Sequence, residues 1–213
     1  MERGRNIVLI GFMGSGKTSV GLKLSYRLRM TVEDTDKLIE RREGRSVSQV
    51  FAEQGEAYFR QQETRLLQEL LACPYARIYS VGGGTPVRRE NRELLRELGM
   101  VVYLQVSPET VYNRLKGDVT RPLLQCEDPL GRIRELMEER RETYESCADV
   151  ILDGDGLDME QILDKIMTEL GNLPALAMGQ AAQEDRATGS IRGVSRMEDT
   201  LGTRQEAGEE NRD

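Results

Sequence analysis

The chain has 213 residues and a net charge of −7, with 38% hydrophobic and 31% charged residues. This length fits one domain with an extension. The acidic balance argues against a protein that holds nucleic acid by bulk charge, and no apolar stretch approaches the roughly 20 residues of a membrane span. The chain contains three widely spaced cysteines and no histidine. We therefore exclude histidine-based catalysis and histidine-ligated zinc, and expect a protein of the reducing cytoplasm whose proton transfers use carboxylates or lysine.

Five strand-like runs alternate with helical patterns along the chain, which predicts a parallel sheet with helices on both faces. The predicted strands are residues 6–10, 30–34, 76–81, 100–106 and 149–153. The predicted helices are residues 17–29, 47–53, 56–72, 90–98, 108–116, 129–146 and 158–170. Ser46 with Gln49 forms a capping-box pattern, Pro108 suits the first position of a helix, and Gly99 suits a helix end.

The composition changes after Gly171. Residues 172–213 contain no aromatic residue and few large apolar ones. Such a segment buries too little surface to offset the entropy lost on ordering. We expect one domain at residues 1–171 and a polar, disordered extension at residues 172–213.

The stretch GFMGSGKT, residues 11–18, lies between the first predicted strand and the first predicted helix. It matches the phosphate-binding pattern G-x-x-x-x-G-K-[ST] in the strand-to-helix context that this pattern requires. Backbone amides of the glycine-rich turn and the helix N-terminus attract phosphate. Lys17 can reach the β- and γ-phosphates, and the hydroxyl of Thr18 can bind Mg²⁺. The stretch therefore predicts binding of a nucleoside triphosphate.

Two carboxylates follow the second predicted strand, at the sheet edge where ligands bind in open α/β folds. Asp34 and Asp36 are two residues apart, so on an extended segment both point into one crevice. One can support Mg²⁺ through water while the other accepts a proton from a substrate hydroxyl. The alternative is that Asp36 only caps a helix beginning at Lys37.

Arginines and a second glycine run complete the candidate site, although each has a plainer interpretation. Arg60 lies between Glu56 and Glu63 and could form only surface ion pairs. The glycines at residues 82–84 follow the third predicted strand and could present amides to an oxyanion, or form a loose turn. Arg121 precedes a proline and could close over ATP as part of a mobile flap. Arg140 and Arg141 could equally lie on a solvated helix face.

Taken in order, these blocks resemble shikimate kinase over about residues 5–170. The blocks are GFMGSGKT, DTD, GEAYFR followed by Glu63, GGG, RPLL and ERRETY. The resemblance implies a three-layer P-loop kinase fold of the nucleoside-monophosphate-kinase type, with a lid and a five-stranded parallel sheet in the order 2-3-1-4-5. It also implies transfer of the γ-phosphate of ATP to the 3-hydroxyl of shikimate, a step of aromatic amino-acid biosynthesis.

The resemblance also implies a role for individual residues. Lys17, Asp36 and Arg121 would be catalytic, and one Mg²⁺ would lie on Thr18 and, through water, on Asp34. Shikimate would be held by Asp36, Arg60, the Gly83 amide and Arg140, which spacing to Tyr144 favours over Arg141. ATP would be held by Gly14, Ser15, Gly16, Lys17, Thr18, Arg114 and Arg121.

Two other functions compete with this interpretation. One is a gluconate-type or other small-molecule kinase of the same fold, although that relative usually carries histidines at its acceptor site. The other is a nucleotide-binding regulator without catalysis, which would be expected to lose Lys17, Thr18, Asp36 or Arg121, and all four are present. We expect a monomer that binds ATP and shikimate, with no nucleic-acid or membrane partner.

Overall fold

The structure is a computed structural model that describes residues 6–116 and 126–172. Five parallel strands form one sheet: β1 (Asn6–Ile10), β2 (Thr31–Asp34), β3 (Arg77–Ser80), β4 (Gly99–Gln105) and β5 (Val150–Asp153). Their order across the sheet is β2-β3-β1-β4-β5, as predicted. All five strands lie where the sequence placed them, with shifts of one residue at several ends.

Seven helices accompany the sheet within the described residues. They are α1 (Lys17–Leu28), α2 (Thr35–Glu43), α3 (Val47–Leu71), α4 (Arg89–Leu98), α5 (Pro108–Leu115), α6 (Pro129–Cys147) and α7 (Met159–Asn172). The element list of the sequence analysis lacked α2, and it divided α3 into two helices. The division had a physical basis, because Gly55 has φ 81° and ψ 168° and kinks α3 there.

Helix ends follow the capping residues of the sequence. The Ser46 side chain accepts from the Gln49 amide, and the Gln49 side chain accepts from the Ser46 amide, so the predicted capping box is present. Pro108 is the first residue of α5, where its missing N–H costs nothing. Gly99 is the C-cap of α4 and also begins β4, in an extended conformation with φ 175°.

The sheet has an apolar layer on each face, as a three-layer α/β architecture requires. On one face, Leu24 of α1 and Ile166 of α7 pack with Leu9 of β1. On the other face, residues of α3, α4 and α6, among them Leu67 and Leu95, pack against β1, β3 and β4. The three-layer fold is thus confirmed, while the predicted lid residue Arg121 lies outside the described residues.

Two further expectations from the sequence concern the cysteines and the lack of a membrane-spanning segment. Cys73, Cys126 and Cys147 are all free thiols. Cys147, the last residue of α6, is fully buried in the apolar layer that this helix shares with the sheet. Across residues 6–116 and 126–172, none of the helices has the length and apolar character needed to cross a bilayer.

Candidate active site

The phosphate-binding loop joins β1 to α1, and its three glycines all have positive φ: Gly11 at 144°, Gly14 at 75° and Gly16 at 100°. A side chain disfavours such angles. At Gly11 a Cβ would also lie 2.7 Å from the carbonyl oxygen of Leu104 on β4. The glycines therefore let the loop turn tightly beside the sheet and end at the N-terminus of α1, where anions are favoured.

Lys17, the first residue of α1, is buried and folds back over its own loop. Its Nζ donates to the carbonyl oxygens of Gly11 at 2.8 Å and Phe12 at 2.9 Å. The loop thus holds an ammonium group at its centre, so that phosphate oxygens would meet a positive charge and the amide donors together. Arg114 of α5 braces the same loop, because its Nη1 donates to the carbonyl oxygen of Gly14 at 2.9 Å.

Three side-chain oxygens meet beside the loop, at the carboxyl ends of β2 and β3. Thr18 Oγ1 lies 3.5 Å from Asp34 Oδ2 and 3.4 Å from Ser80 Oγ. Hydroxyl and carboxylate oxygens are the ligands that a hard divalent cation prefers, directly or through water. Among the residues that the structure describes, no group of three or more His, Cys, Asp or Glu side chains could hold a metal ion. A cation here would therefore be shared with phosphate oxygens and water.

The two aspartates do not lie on one extended segment, which corrects the geometry expected from the sequence. Asp34 is the N-cap of α2, and its Oδ1 accepts from the amides of Asp36 at 3.1 Å and Lys37 at 3.3 Å. Asp36 lies in the first turn of that helix rather than capping it. The capping bonds of Asp34 begin the helix at Thr35, two residues before the position that the alternative assumed.

Asp36 occupies an environment that resists ionisation. Its Oδ1 is buried and has no hydrogen-bond partner among the residues that the structure describes. Burial raises its pKa to about 6, and the negative charges of Asp34 and Glu63 contribute in the same direction, while Lys17 and Arg60 oppose them. A carboxylate with a pKa near 6 and an unpartnered oxygen is suited to accept a proton from a bound hydroxyl.

The glycines after β3 form a surface against which the charged groups pack. A Cβ at Gly82 would collide with Asp36 Oδ1, and one at Gly84 would collide with the guanidinium of Arg60. At Gly83 a Cβ would lie 3.3 Å from the carbonyl oxygen of Gly11, so this loop also touches the phosphate-binding loop. The glycine run is thus a close-packed junction and not a loose turn.

Arg60 is not the plain surface ion pair that its spacing allowed. Its side chain is 15% exposed, and its Nη1 donates to Glu63 Oε2 at 2.7 Å. Burial would lower the pKa of Arg60, but Glu63 and Glu56 more than offset this, so the pKa is raised. Glu63 is buried and also accepts a hydrogen bond from Thr85. The guanidinium is therefore charged and fixed beside the glycine run.

Arg140 and Arg141 of α6 face different surroundings. The guanidinium of Arg140 lies 5.7 Å from the ring centre of Phe12 in the phosphate-binding loop. Arg141 is 55% exposed and pairs with Glu138 on its own helix. The geometry thus directs Arg140, not Arg141, toward the loops.

Tyr144, one turn after Arg140, connects α6 to the glycine run. Its buried hydroxyl donates to the carbonyl oxygen of Gly83 at 2.5 Å. Burial raises the pKa of Tyr144, and the positive charges of Arg140 and Arg60 both oppose that rise. Both arginines therefore lie near this hydroxyl, on the same side of the sheet as Asp36.

The fold and this geometry can now be compared with known proteins. A family model described as shikimate kinase matches residues 13–171. The chain is 44% identical over 171 residues to the shikimate kinase of Deinococcus radiodurans, which covers 80% of this chain and 86% of that protein. The chain belongs to the shikimate kinase family.

A solved structure of this family agrees with the assignment, and a more distant structure shares the fold. The shikimate kinase of Acinetobacter baumannii in complex with shikimate superposes with a TM-score of 0.73 at 36% identity, covering 79% of this chain and 94% of that one. A gluconokinase from Sinorhizobium meliloti gives a TM-score of 0.50 at 18% identity, covering 81% and 95%. The second likeness concerns the fold alone. As a member of the shikimate kinase family, the protein is a P-loop kinase that uses ATP.

The structure adds residues to the shikimate kinase site that the sequence analysis did not single out. Ser80 ends β3 and faces Thr18. Thr35 Oγ1 accepts from the Gly82 amide at 3.1 Å, which fixes the glycine run to α2. Thr85 donates a hydrogen bond to Glu63, and Tyr144 donates one to the carbonyl oxygen of Gly83. In the sequence, these residues could be recognised only as hydroxyl side chains at strand ends or beside glycines. Such side chains are too common there to indicate a site.

Proposed function

We propose that the protein transfers the γ-phosphate of ATP to the 3-hydroxyl of shikimate, giving shikimate 3-phosphate and ADP. One observation carries the proposal: Asp36, Arg60 and Tyr144, with Arg140 beside it, converge on the glycine run that touches the phosphate-binding loop. Shikimate is a small anion with adjacent ring hydroxyls. A carboxylate for the hydroxyls and two guanidiniums for the acid group match its two ends.

The donor half of the reaction would use the phosphate-binding loop. The amides of residues 14–18 would hold the ATP phosphates, and Lys17 would exchange its bonds to Gly11 and Phe12 for phosphate oxygens. Arg114 would remain beside the nucleotide, since it already contacts the carbonyl of Gly14. Arg121, which lies outside the described residues, stays a prediction as the group that closes on the phosphates.

Mg²⁺ is the proposed metal, bound with ATP. Thr18 would be a direct ligand and Asp34 a ligand through water, with Ser80 beside them, since these oxygens already lie 3.4–3.5 Å from Thr18 Oγ1. When bound, the ion would neutralise charge on the phosphates during transfer. Asp34 keeps its second oxygen for capping α2, which favours contact through water.

The acceptor half would use Asp36, Arg60, Arg140 and the Gly83 amide. Asp36 would accept the proton of the attacking hydroxyl, because its raised pKa brings it close to that task. Arg60 and Arg140 would hold the substrate carboxylate and fix the ring. Phosphoryl transfer depends mainly on positioning and charge stabilisation, so a chain without histidine is adequate.

An ADP-release assay tests the proposal directly. We expect ADP to appear only when ATP, Mg²⁺ and shikimate are all present, and the product to be phosphorylated at the 3-hydroxyl. A panel containing gluconate and other hydroxy acids is the control for substrate class. A clear preference for gluconate would contradict the proposed acceptor, and tight ATP binding without turnover on any acid would favour a regulator.

We also propose that the enzyme is monomeric and cytoplasmic. The proposed acceptor residues, all from a single chain, already lie close together. Arg121 lies outside the described residues. The three free thiols suit a reducing compartment. Light scattering coupled to size exclusion should give a mass near 24.1 kDa, and a dimer mass would contradict the monomer.

A further inference from the structure

The hydrogen bonds of Arg60 show that its guanidinium is already engaged by two carboxylates of the chain. Nε and Nη2 donate to Glu56 Oε1 at 3.2 and 2.9 Å. Nη1 donates to Glu63 Oε2 at 2.7 Å. All three nitrogens of the guanidinium therefore already donate to carboxylates of the chain, and an incoming carboxylate must compete with them.

The two glutamates differ in how easily they can leave. The Glu63 side chain is 1% exposed, so moving it would strand a charge in the interior. The Glu56 side chain is 64% exposed and contacts Arg60 across one turn of helix. Its carboxylate can leave at a lower cost than that of Glu63, because water solvates an exposed carboxylate well. Glu56 is the displaceable partner.

The backbone beside Glu56 departs from regular helical geometry. Gly55, with φ 81°, interrupts the helix directly before Glu56. A Cβ built at Gly55 would meet nothing within 4 Å, so no neighbouring atom packs against this turn. Glu56 can therefore change its side-chain position without repacking the core.

Arg60 would keep its place if Glu56 left. Glu63 still holds Nη1, and the rings of Phe51 and Phe59 lie 5.8 Å from the guanidinium carbon. Gly84 leaves the space that the guanidinium fills. Glu63 and the two rings therefore orient Arg60, whereas Glu56 only occupies its Nε–Nη2 edge.

Arg140 is prepared differently from Arg60. Among residues 6–116 and 126–172, no carboxylate lies within ion-pair distance of Arg140, which instead faces Phe12 and Tyr144. Among the described residues, no carboxylate would compete with a substrate acid group for this arginine. The acceptor pocket thus contains one open guanidinium and one that is occupied.

We propose that Glu56 is an internal competitor for Arg60, holding its Nε–Nη2 edge until the carboxylate of the substrate displaces it. The inference rests on the proposed function, because it takes the substrate to be a carboxylic acid bound by Arg60. Glu56 acts through Arg60 and does not touch the reacting hydroxyl. It sets how tightly the acid is bound and leaves the transfer step unchanged.

The test is the substitution Glu56→Gln, compared with Glu53→Gln. Glu53 lies on the same helix, is 52% exposed and pairs with Arg45 at 2.6 Å. Its substitution therefore removes the same charge without involving Arg60. We expect Glu56→Gln to lower the KM for shikimate about two- to fivefold with kcat unchanged, because the substrate would no longer compete with a charged carboxylate for Arg60. Glu53→Gln should leave both constants unchanged.

Calorimetric titration of shikimate without nucleotide gives a second measurement, in which Kd should fall by the same factor for Glu56→Gln alone. An unchanged or higher KM in Glu56→Gln, or an equal fall in Glu53→Gln, would overturn the inference. These outcomes are separate from failure of the proposed function, which would appear as wild-type protein that neither binds nor phosphorylates shikimate.

Discussion

The donor and acceptor sides of the active site are built in different ways. On the donor side, eight consecutive residues at one strand-to-helix turn supply the phosphate cradle, and the charge of Lys17 is satisfied by carbonyls of the same loop. On the acceptor side, the groups come from α2, α3, α6 and the glycine run. Asp36 is left there with an unpartnered buried oxygen. The phosphate cradle of the donor side is built from one local stretch, whereas the acceptor side holds its charges only because the fold brings distant elements together.

Asp36→Asn gives the largest expected effect and should damage only the acceptor side. The amide cannot accept the proton of the substrate hydroxyl, so kcat should fall by about 10²–10⁴-fold. Binding of ATP should persist, because Asp36 lies outside the phosphate-binding loop. Single-turnover kinetics and ATP titration measure the two separately. Turnover equal to wild type would remove Asp36 from the proposed role.

Lys17→Met should damage the donor side. The loop would lose the ammonium at its centre, and kcat should fall by about 10²–10³-fold, as for loss of one charge-stabilising donor. Binding of shikimate without nucleotide should stay near the wild-type value, the reverse of the pattern in Asp36→Asn. If Lys17→Met also abolished shikimate binding, the two sides would not be separable.

The pH dependence should report the acceptor side. Because Asp36 must be ionised to accept a proton and its pKa is about 6, kcat/KM for shikimate should fall about tenfold per unit as pH drops below about 6. The pH profile of Asp36→Asn should lack this limb. A wild-type limb near pH 4 would show instead that the carboxyl titrates as it does in water.

Tyr144→Phe should have a smaller effect and should weaken the binding of shikimate, because it removes one hydrogen bond within the acceptor side. Removing the hydroxyl leaves the Gly83 carbonyl without its donor, at a cost of about 1 kcal/mol, so the KM for shikimate should rise severalfold. Tyr103→Phe is the matched control, since its ring packs on Tyr144 at 5.1 Å and its hydroxyl does not bond the glycine run in the described structure. Equal effects in the two variants would assign Tyr144 to packing alone.

The last expected effect is a gain in stability rather than a loss of activity. The folded-state pKa of Asp36 is raised from 3.8 to about 6, so its stabilising contribution is complete below pH 3.8 and lost as pH rises through 6. At pH 8, Asp36→Asn should therefore raise the free energy of unfolding by about 1–2 kcal/mol. Urea unfolding at pH 8 and pH 4 measures this, and a gain of equal size at both would contradict the linkage.

The same contrast between the two sides explains what the sequence could predict. The position of the donor loop between β1 and α1 was predicted correctly, because its backbone signals occupy one short stretch. All five strands were also predicted, since most of them form apolar runs typical of buried parallel strands, and their order agrees with what the resemblance to shikimate kinase implied. The capping box at Ser46 was predicted correctly for the same reason, because both of its partners lie within four residues.

The acceptor side was harder because its contacts are long-range. The i,i+4 spacing of Glu56 and Arg60 suggested a surface pair, and nothing local shows that Gly84 lies against the guanidinium. The start of α2 was missed because Asp34 and Asp36 are equally good caps by type, and only the bonds made by Asp34 decide between them. Ser80 and Thr35 act through partners 62 and 47 residues away.

The glycines after β3 have a consequence for mutational tolerance. Gly84 has φ −93°, an angle open to any residue, so backbone strain does not restrict it. A methyl group there would displace a guanidinium, and one at Gly82 would displace a carboxylate. In a saturation library, survivors at these two codons should thus be scarce although the fold could accept alanine, whereas Gly171, with open space around it, should vary freely.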